Sequence, residues 1–196
     1  MAEAHYPYPY IERHPLQPFL PANAQILMLG SFPPPKERWC MDFFYPNPQN
    51  DMWRIMGQIF FGDKNHFVCE KEKRFKLDEI VRHCEEKGIA FFDTSTAVRR
   101  LKDNASDKFL EVVEPTDIPA LLAQLPLCKA IVTTGEKATE TICATLGISE
   151  VPKVNTYVAI PASPVPSEGG GNDGLSRTGT QSSLSVGTAS SGRSRP

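Results

Sequence analysis

The sequence predicts an α/β domain in which a parallel sheet is flanked by helices, and three observations predict it. Residues 26–29, 89–92 and 130–133 are short, unbroken apolar runs, the pattern of strands buried on both faces. Between them lie stretches with apolar residues at helical spacing. Strands and helices therefore alternate along the chain, the order that builds a parallel sheet.

Taken in order, residues 1–24 carry Pro7, Pro9, Pro15, Pro18 and Pro21. They read as an extended arm packed on the domain, with a disordered terminus as the open alternative. Residues 26–29 form the first strand, and Gly30-Ser31 ends it. Pro33, Pro34 and Pro35 then forbid helix and central strand alike. The stiff loop that follows carries Trp39, Phe43, Phe44 and Tyr45. Loops of this length without their own secondary structure are usually functional. Helix resumes at Asn50, a good N-cap, with Asp51 in the first turn. Met52, Trp53, Ile55, Met56, Ile59 and Phe60 form its apolar face, and Gly62 stops it.

Residues 63–74 are charged and read as surface. A helix over 75–87 turns Leu77, Ile80, Val81 and Cys84 inward and stops at Gly88. The second strand, 89–92, ends at Asp93-Thr94-Ser95-Thr96. Residues 97–106 carry Arg99, Arg100 and Lys102 and lead into a turn at 104–107. A short helix over 117–125 has Pro119 in its first turn. The third strand, 130–133, leads through Thr134-Gly135 to a helix over 136–146. Residues 153–160 form a fourth strand, less apolar and at an edge. One domain thus spans 1–166, and the Gly/Ser-rich segment 167–196 is too poor in apolar residues to bury a core and reads as disordered.

A net charge of −2 means that no global basic field advertises nucleic acid, although a local patch would suffice. The five cysteines are widely spaced with no Cys-x-x-Cys, which argues against zinc or iron–sulfur ligation and for reduced thiols in a cytoplasmic protein. The first residues hold Tyr and Pro where a signal peptide has its apolar stretch, and no apolar run approaches membrane-spanning length. Neither a metal nor a cofactor is expected, nor a membrane, nor an obligate protein partner.

In open α/β sheets the ligand lies beyond the carboxyl ends of the strands. Those ends gather Gly30, Ser31, Phe32 and Pro33, then Asp93, then Thr134 and Gly135, and last Pro161, Ser163 and Pro164. The first loop adds its aromatics with Asn47 and Asn50. His5, His14, His66 and His83 fall in the arm, a charged loop and a helix, so no Ser/His/Asp arrangement is expected. Gly-rich phosphate loops are absent as well. A Pro-braced pocket with aromatic faces and amide or carboxylate edges suits a flat heterocycle, gripped by stacking and edge hydrogen bonds.

Gly30-Ser-Phe-Pro33 followed by Phe44-Tyr-Pro-Asn-Pro-Gln-Asn-Asp-Met-Trp53 resembles the first motif of the uracil-DNA glycosylase superfamily, nearest to its mismatch-specific and hypoxanthine branches. Residues 88–98 resemble the superfamily's second strand, and Thr133-Thr134-Gly135 its third strand end. The resemblance spans about residues 10–165. It implies a three-layer sandwich with a four-stranded parallel sheet, no metal, and hydrolysis of the base–deoxyribose bond in DNA holding a damaged or mismatched base. Carried over, Gly30–Pro33 form the water-activating loop, with Ser31 and Asn50 as catalytic candidates. Phe44 or Tyr45 stacks on the flipped base, alongside Phe32, Asn47, Asp93, Thr134 and Gly135. The Pro/Ser loop, here Pro161, Ser163 and Pro164, presses the DNA strand, and Gly30 and Pro33 also meet DNA. Apart from the resemblance, Arg99, Arg100 and Lys102 lie next to the pocket edge and are expected to contact phosphate, with a solvated face as the open alternative.

Three departures bear on that reading. Ser31 stands where other branches have a water-activating Asp or Asn, Asn47 stands for a His, and Asp93 stands for the base-reading Asn, as it also does in the hypoxanthine branch. No Lys lies in the motif to form a Schiff base, so a monofunctional glycosylase acting on uracil or hypoxanthine in base excision repair is expected. The alternative is a catalytically silent nucleic-acid or nucleotide-binding module on the same fold. Asn50 also serves as a helix cap alone, and Asp93 as a turn cap alone, on readings that stay open. The family's Pro/Ser loop and closing helix give way after Pro164 to Gly/Ser-rich sequence. A natural tail and a shifted reading frame both account for this, the second better because the change falls inside an expected motif.

Overall fold

The computed structural model describes residues 10–101, 107–161 and 183–188. Its main sheet has five strands: β2 (Ile26–Gly30), β5 (Ile89–Asp93), β8 (Ala130–Thr133), β9 (Tyr157–Pro161) and β10 (Ser183–Thr188), in spatial order β5-β2-β8-β10-β9. The β5–β2, β2–β8 and β8–β10 pairings are parallel, and β10–β9 is antiparallel. Every residue of β5 is buried, as are Leu27 to Gly30 of β2, which is why both strands read as continuous apolar runs.

Two expectations are corrected here. The segment foreseen as a parallel fourth strand is β9, and it runs antiparallel at the edge. The place beside β8 is taken by β10, which lies within the segment expected to be disordered. A strand draws its pairing from backbone N–H and C=O groups, so weakly apolar sequence can still fill a slot between two strands. The predicted four-stranded parallel sheet is therefore a mixed sheet.

Four helices accompany the sheet: α1 (Met52–Phe61), α2 (Leu77–Lys87), α3 (Ile118–Ala123) and α4 (Glu136–Leu146). Helices α1, α2 and α4 end at Gly62, Gly88 and Gly147, each left-handed with φ between 63° and 68°. Such a φ favours glycine and closes the last turn. Asp117 caps α3, its carboxylate accepting from Ala120 N at 2.9 Å. None of the helices among the described residues is long and apolar enough to cross a membrane.

A second, antiparallel sheet has the order β1-β6-β7, formed by β1 (Ile11–Arg13), β6 (Ser95–Arg100) and β7 (Leu110–Pro115). The arm is thus anchored by a strand at Ile11–Arg13, and Arg99 and Arg100 lie in a strand as well. A two-residue hairpin, β3 (Val68–Cys69) with β4 (Arg74–Phe75), interrupts the charged surface segment.

The core centres on Trp53, Phe67, Phe75 and Phe91, all fully buried. Phe43 and Phe44 join it, with ring centroids 6.0 and 5.9 Å from Phe91. Trp53 Nε1 donates to Phe44 O at 3.1 Å, so the aromatic loop is both packed and hydrogen-bonded to α1. Each such side chain contributes about 1.5–3 kcal/mol on burial, which holds the loop rigid without regular structure.

Candidate active site

A cleft of about 420 Å³ opens at the carboxyl ends of β2, β5 and β8. Gly30, Ser31, Phe32, Pro33, Phe44, Tyr45, Asn47, Asn50, Asp93, Thr134 and Gly135 all line it. One cavity therefore brings together residues that the sequence scatters over more than a hundred positions.

Asp93 ends β5 and is buried. Its main-chain oxygen accepts from Thr116 Oγ1 at 2.7 Å, and Thr94 N donates to Gly30 O at 2.8 Å, tying the β5 end to the β2 end. His14 Nε2–H donates to Asp93 Oδ2 at 2.7 Å, and both side chains are more than nine-tenths buried. His14 Nδ1 lies 3.0 Å from Leu16 O and 3.2 Å from Leu16 N, which fixes the ring. The other carboxylate oxygen, Oδ1, lies over Gly30, where any Cβ would collide with it. Only glycine fits there. The imidazole itself packs on Phe32 and Phe92, with centroids at 5.3 and 4.7 Å.

Tyr45 adopts φ 51°, an uncommon conformation for a bulky residue and one that clusters at functional sites. Its hydroxyl shares a 2.7 Å hydrogen bond with Thr134 Oγ1. Burial and the nearby Asp93 charge push the phenol pKa well up, so it stays neutral. Asp51, not Asn50, stands at the N-cap of α1 and makes no side-chain capping bond. Asn50 Oδ1 nevertheless accepts from Met52 N at 2.8 Å and so satisfies the first amide of the helix as a cap does, while Nδ2 has no partner among the described residues. Asn47 Oδ1 accepts from Gln49 N at 2.9 Å and shapes the turn. Phe44 is only 3% exposed, so Tyr45, which is half-buried, is the better placed of the two to meet a ring in the cleft.

Of the three basic residues expected at phosphate, Arg99 and Arg100 lie among the described residues. Arg100 is buried, with Nε on the Glu12 carboxylate at 2.9 Å and Nη2 donating to Pro33 O at 2.7 Å. It braces the cleft loop and has no face for a phosphate. Arg99 lies on the second sheet and pairs with Glu111 at 2.7 Å. Lys102, Ser163 and Pro164 lie outside the described residues, and Pro161 ends β9.

Three residues at or beside the cleft escape the sequence pattern. His14 was set aside with the arm, yet β1 pairing with β6 carries it to Asp93. Asp107 and Lys108, in the 3-10 turn before β7, also line the cleft. Burial, followed by the Asp93 charge, raises the Asp107 pKa, against the pull of the Ser31 hydroxyl, Arg100 and Lys137. The turn at 104–107 was the available signal for Asp107.

Comparison with known proteins gives two related results. Over 121 residues the chain is 27% identical to a hypoxanthine DNA glycosylase from Methanosarcina acetivorans, covering 62% of this chain and 70% of that protein. A solution NMR structure from the same organism, provisionally assigned as a uracil DNA glycosylase, superposes with a TM-score of 0.50 at 26% identity, covering 70% of this chain and 80% of that one. The chain is related to the uracil-DNA glycosylase superfamily. No family model matches it. The cleft is lined from the three segments that carry the sequence resemblance, with Asp93, held by His14, among the lining residues.

Proposed function

We propose that this chain is a monofunctional DNA glycosylase that hydrolyses the bond between deoxyribose and a deaminated base, uracil or hypoxanthine. The observation that carries this is the clamped carboxylate. His14 occupies Asp93 Oδ2, leaving Oδ1 as a fixed acceptor over Gly30 in an aromatic-walled cleft. A fixed acceptor suits the ring N–H that uracil and hypoxanthine present on their pairing edge. Tyr45 supplies the stacking face, and backbone N–H groups of the Gly30–Pro33 segment serve the ring oxygen. Breaking the bond leaves an oxocarbenium-like sugar, and a cleft holding Asp93 and Asp107 places negative charge near it. Asn50 Nδ2 orients the water, a task for an amide that cannot take a proton. Lys108, at the cleft, takes over the phosphate contact assigned to the arginines.

The second reading, a silent nucleic-acid-binding module, is favoured by the capping bond that engages Asn50 Oδ1. Incubating the chain with duplexes holding uracil, hypoxanthine, xanthine or a G:T mismatch separates the two. Excision of one or more bases, with no borohydride-trapped adduct, is the expected outcome. Binding without excision supports the silent module, and a trapped adduct overturns the monofunctional assignment.

A further inference from the structure

We infer that Asp107 is the catalytic base that takes the proton from the hydrolytic water. This rests on the glycosylase reading and names the group that completes it. The first-motif position that should hold a carboxylate or amide holds Ser31, whose hydroxyl has no basicity near neutral pH. Asn50 can orient water but cannot accept its proton. Asp93 is held by His14 on one oxygen and pressed over Gly30 by the other.

Asp107 is a second carboxylate in the same cleft, brought there from a different loop. The Ser31 hydroxyl lines the cleft with it and favours its charged form. Its Oδ2 lies 3.8 Å from where a Cβ on Gly135 would stand, at the start of α4. Glycine there leaves open the space between Asp107 and the β8 end. Asp107 lines the cleft itself, where its carboxylate can meet a water. Ser31 thus positions a carboxylate instead of supplying one.

In the step, the C1′–N bond breaks and its electron pair leaves with the base. The water oxygen forms the new bond to C1′, and one of its protons passes to Asp107. That proton then reaches the departing base or solvent, so the products are the free base and an abasic sugar. The groups facing Asp107 are Asp93 from β5, Tyr45 from the aromatic loop, Arg100 from β6, Lys137 from α4, and the neighbouring Lys108. Burial and Asp93 raise its pKa, which brings the base closer to neutral pH, where proton transfer is most effective.

The test is single-turnover excision across pH by the full chain and by Asp107→Asn, Asp107→Glu and Ser31→Ala, with affinity for an abasic-site duplex measured in parallel. Asp107→Asn is expected to slow excision by about 100-fold or more with unchanged duplex affinity. The wild-type rate should rise with pH through an ionisation above the ordinary carboxylate range. Asp107→Asn should lose that limb, Asp107→Glu should keep it, and Ser31→Ala should displace it. An Asp107→Asn rate within threefold of wild type, or a pH limb that survives in it, overturns the assignment while leaving the glycosylase function standing. A wild-type chain that excises no base overturns the function itself, and the assignment with it.

Discussion

Asn50 shows how one side chain can serve a helix and a cleft together. Alanine there removes a cap worth about 1 kcal/mol and also the free Nδ2 group beside the cleft. Excision by Asn50→Ala should fall by about 100-fold or more, the scale of a lost positioning group, while Tm falls only slightly. Asn50→Asp keeps a capping oxygen and loses the donor, so it should be stable and slow. Full activity with a lowered Tm would make Asn50 a cap alone. Asp93→Asn tests base reading. His14 Nε2–H needs an acceptor, so the new amide should turn its oxygen to His14 and its NH₂ over Gly30. Uracil has an oxygen on each side of its ring N–H and hypoxanthine has one on a single side. The ratio of uracil to hypoxanthine excision should therefore rise, and an unchanged ratio would mean that Asp93 does not touch the base. Asp93, Tyr45 and Asn50 were legible because strand ends and a helix start mark their places. His14 and Asp107 were not, because both depend on the pairing geometry of a second sheet that no apolar run announces.

At the scale of elements, β1 does more than its three residues suggest. Period-two geometry brings Glu12 and residue 14, just past the strand end, to one face, where they meet Arg100 and Asp93. Glu12→Gln would leave the Arg100 guanidinium, 3% exposed, without a counter-charge. Breaking a buried pair from one side costs about 3 kcal/mol, so a shift of that size is expected in urea unfolding, and a change below about 0.5 kcal/mol would show the pair to be dispensable. The Pro33 loop that Arg100 also braces should loosen with it. Strands β2, β5 and β8 were legible because burial on both faces leaves an unbroken apolar run. Strands β6 and β7 were not, since Ser95–Arg100 and Leu110–Pro115 mix charged residues with apolar ones and β6 carries register shifts. The direction of β9 is not written in its own residues at all. It follows from the partner that pairs with it.

For the whole molecule, one buried and one half-buried group tilt stability with pH in opposite senses. His83 is buried among Phe60, Phe61 and Phe67, and burial, then Lys87, lowers its pKa, against Glu86 and with His66. As pH falls through the ordinary histidine range, the unfolded chain gains a proton that the folded chain resists, so stability is lost towards acid. His83→Leu should flatten that loss, read as a smaller Tm difference between pH 8 and pH 5. Asp107 has the reverse sign. Its raised pKa keeps the folded state protonated as pH climbs through the ordinary carboxylate range, so stability falls as pH rises. Asp107→Asn should raise Tm near pH 7 and change little near pH 3. The strand order of the main sheet has a bearing of another kind, on synthesis. Strand β10 sits between β8 and β9 but begins fifty residues after Thr133. At about 5–20 residues per second, a ribosome takes several seconds to cover that distance. Through that interval the nascent chain carries β8 with one edge unpaired and β9 with no neighbour, and an open edge of this kind can template association with other chains. The rate of translation through codons 134–188 therefore bears on how much of the protein leaves the ribosome as single, soluble molecules.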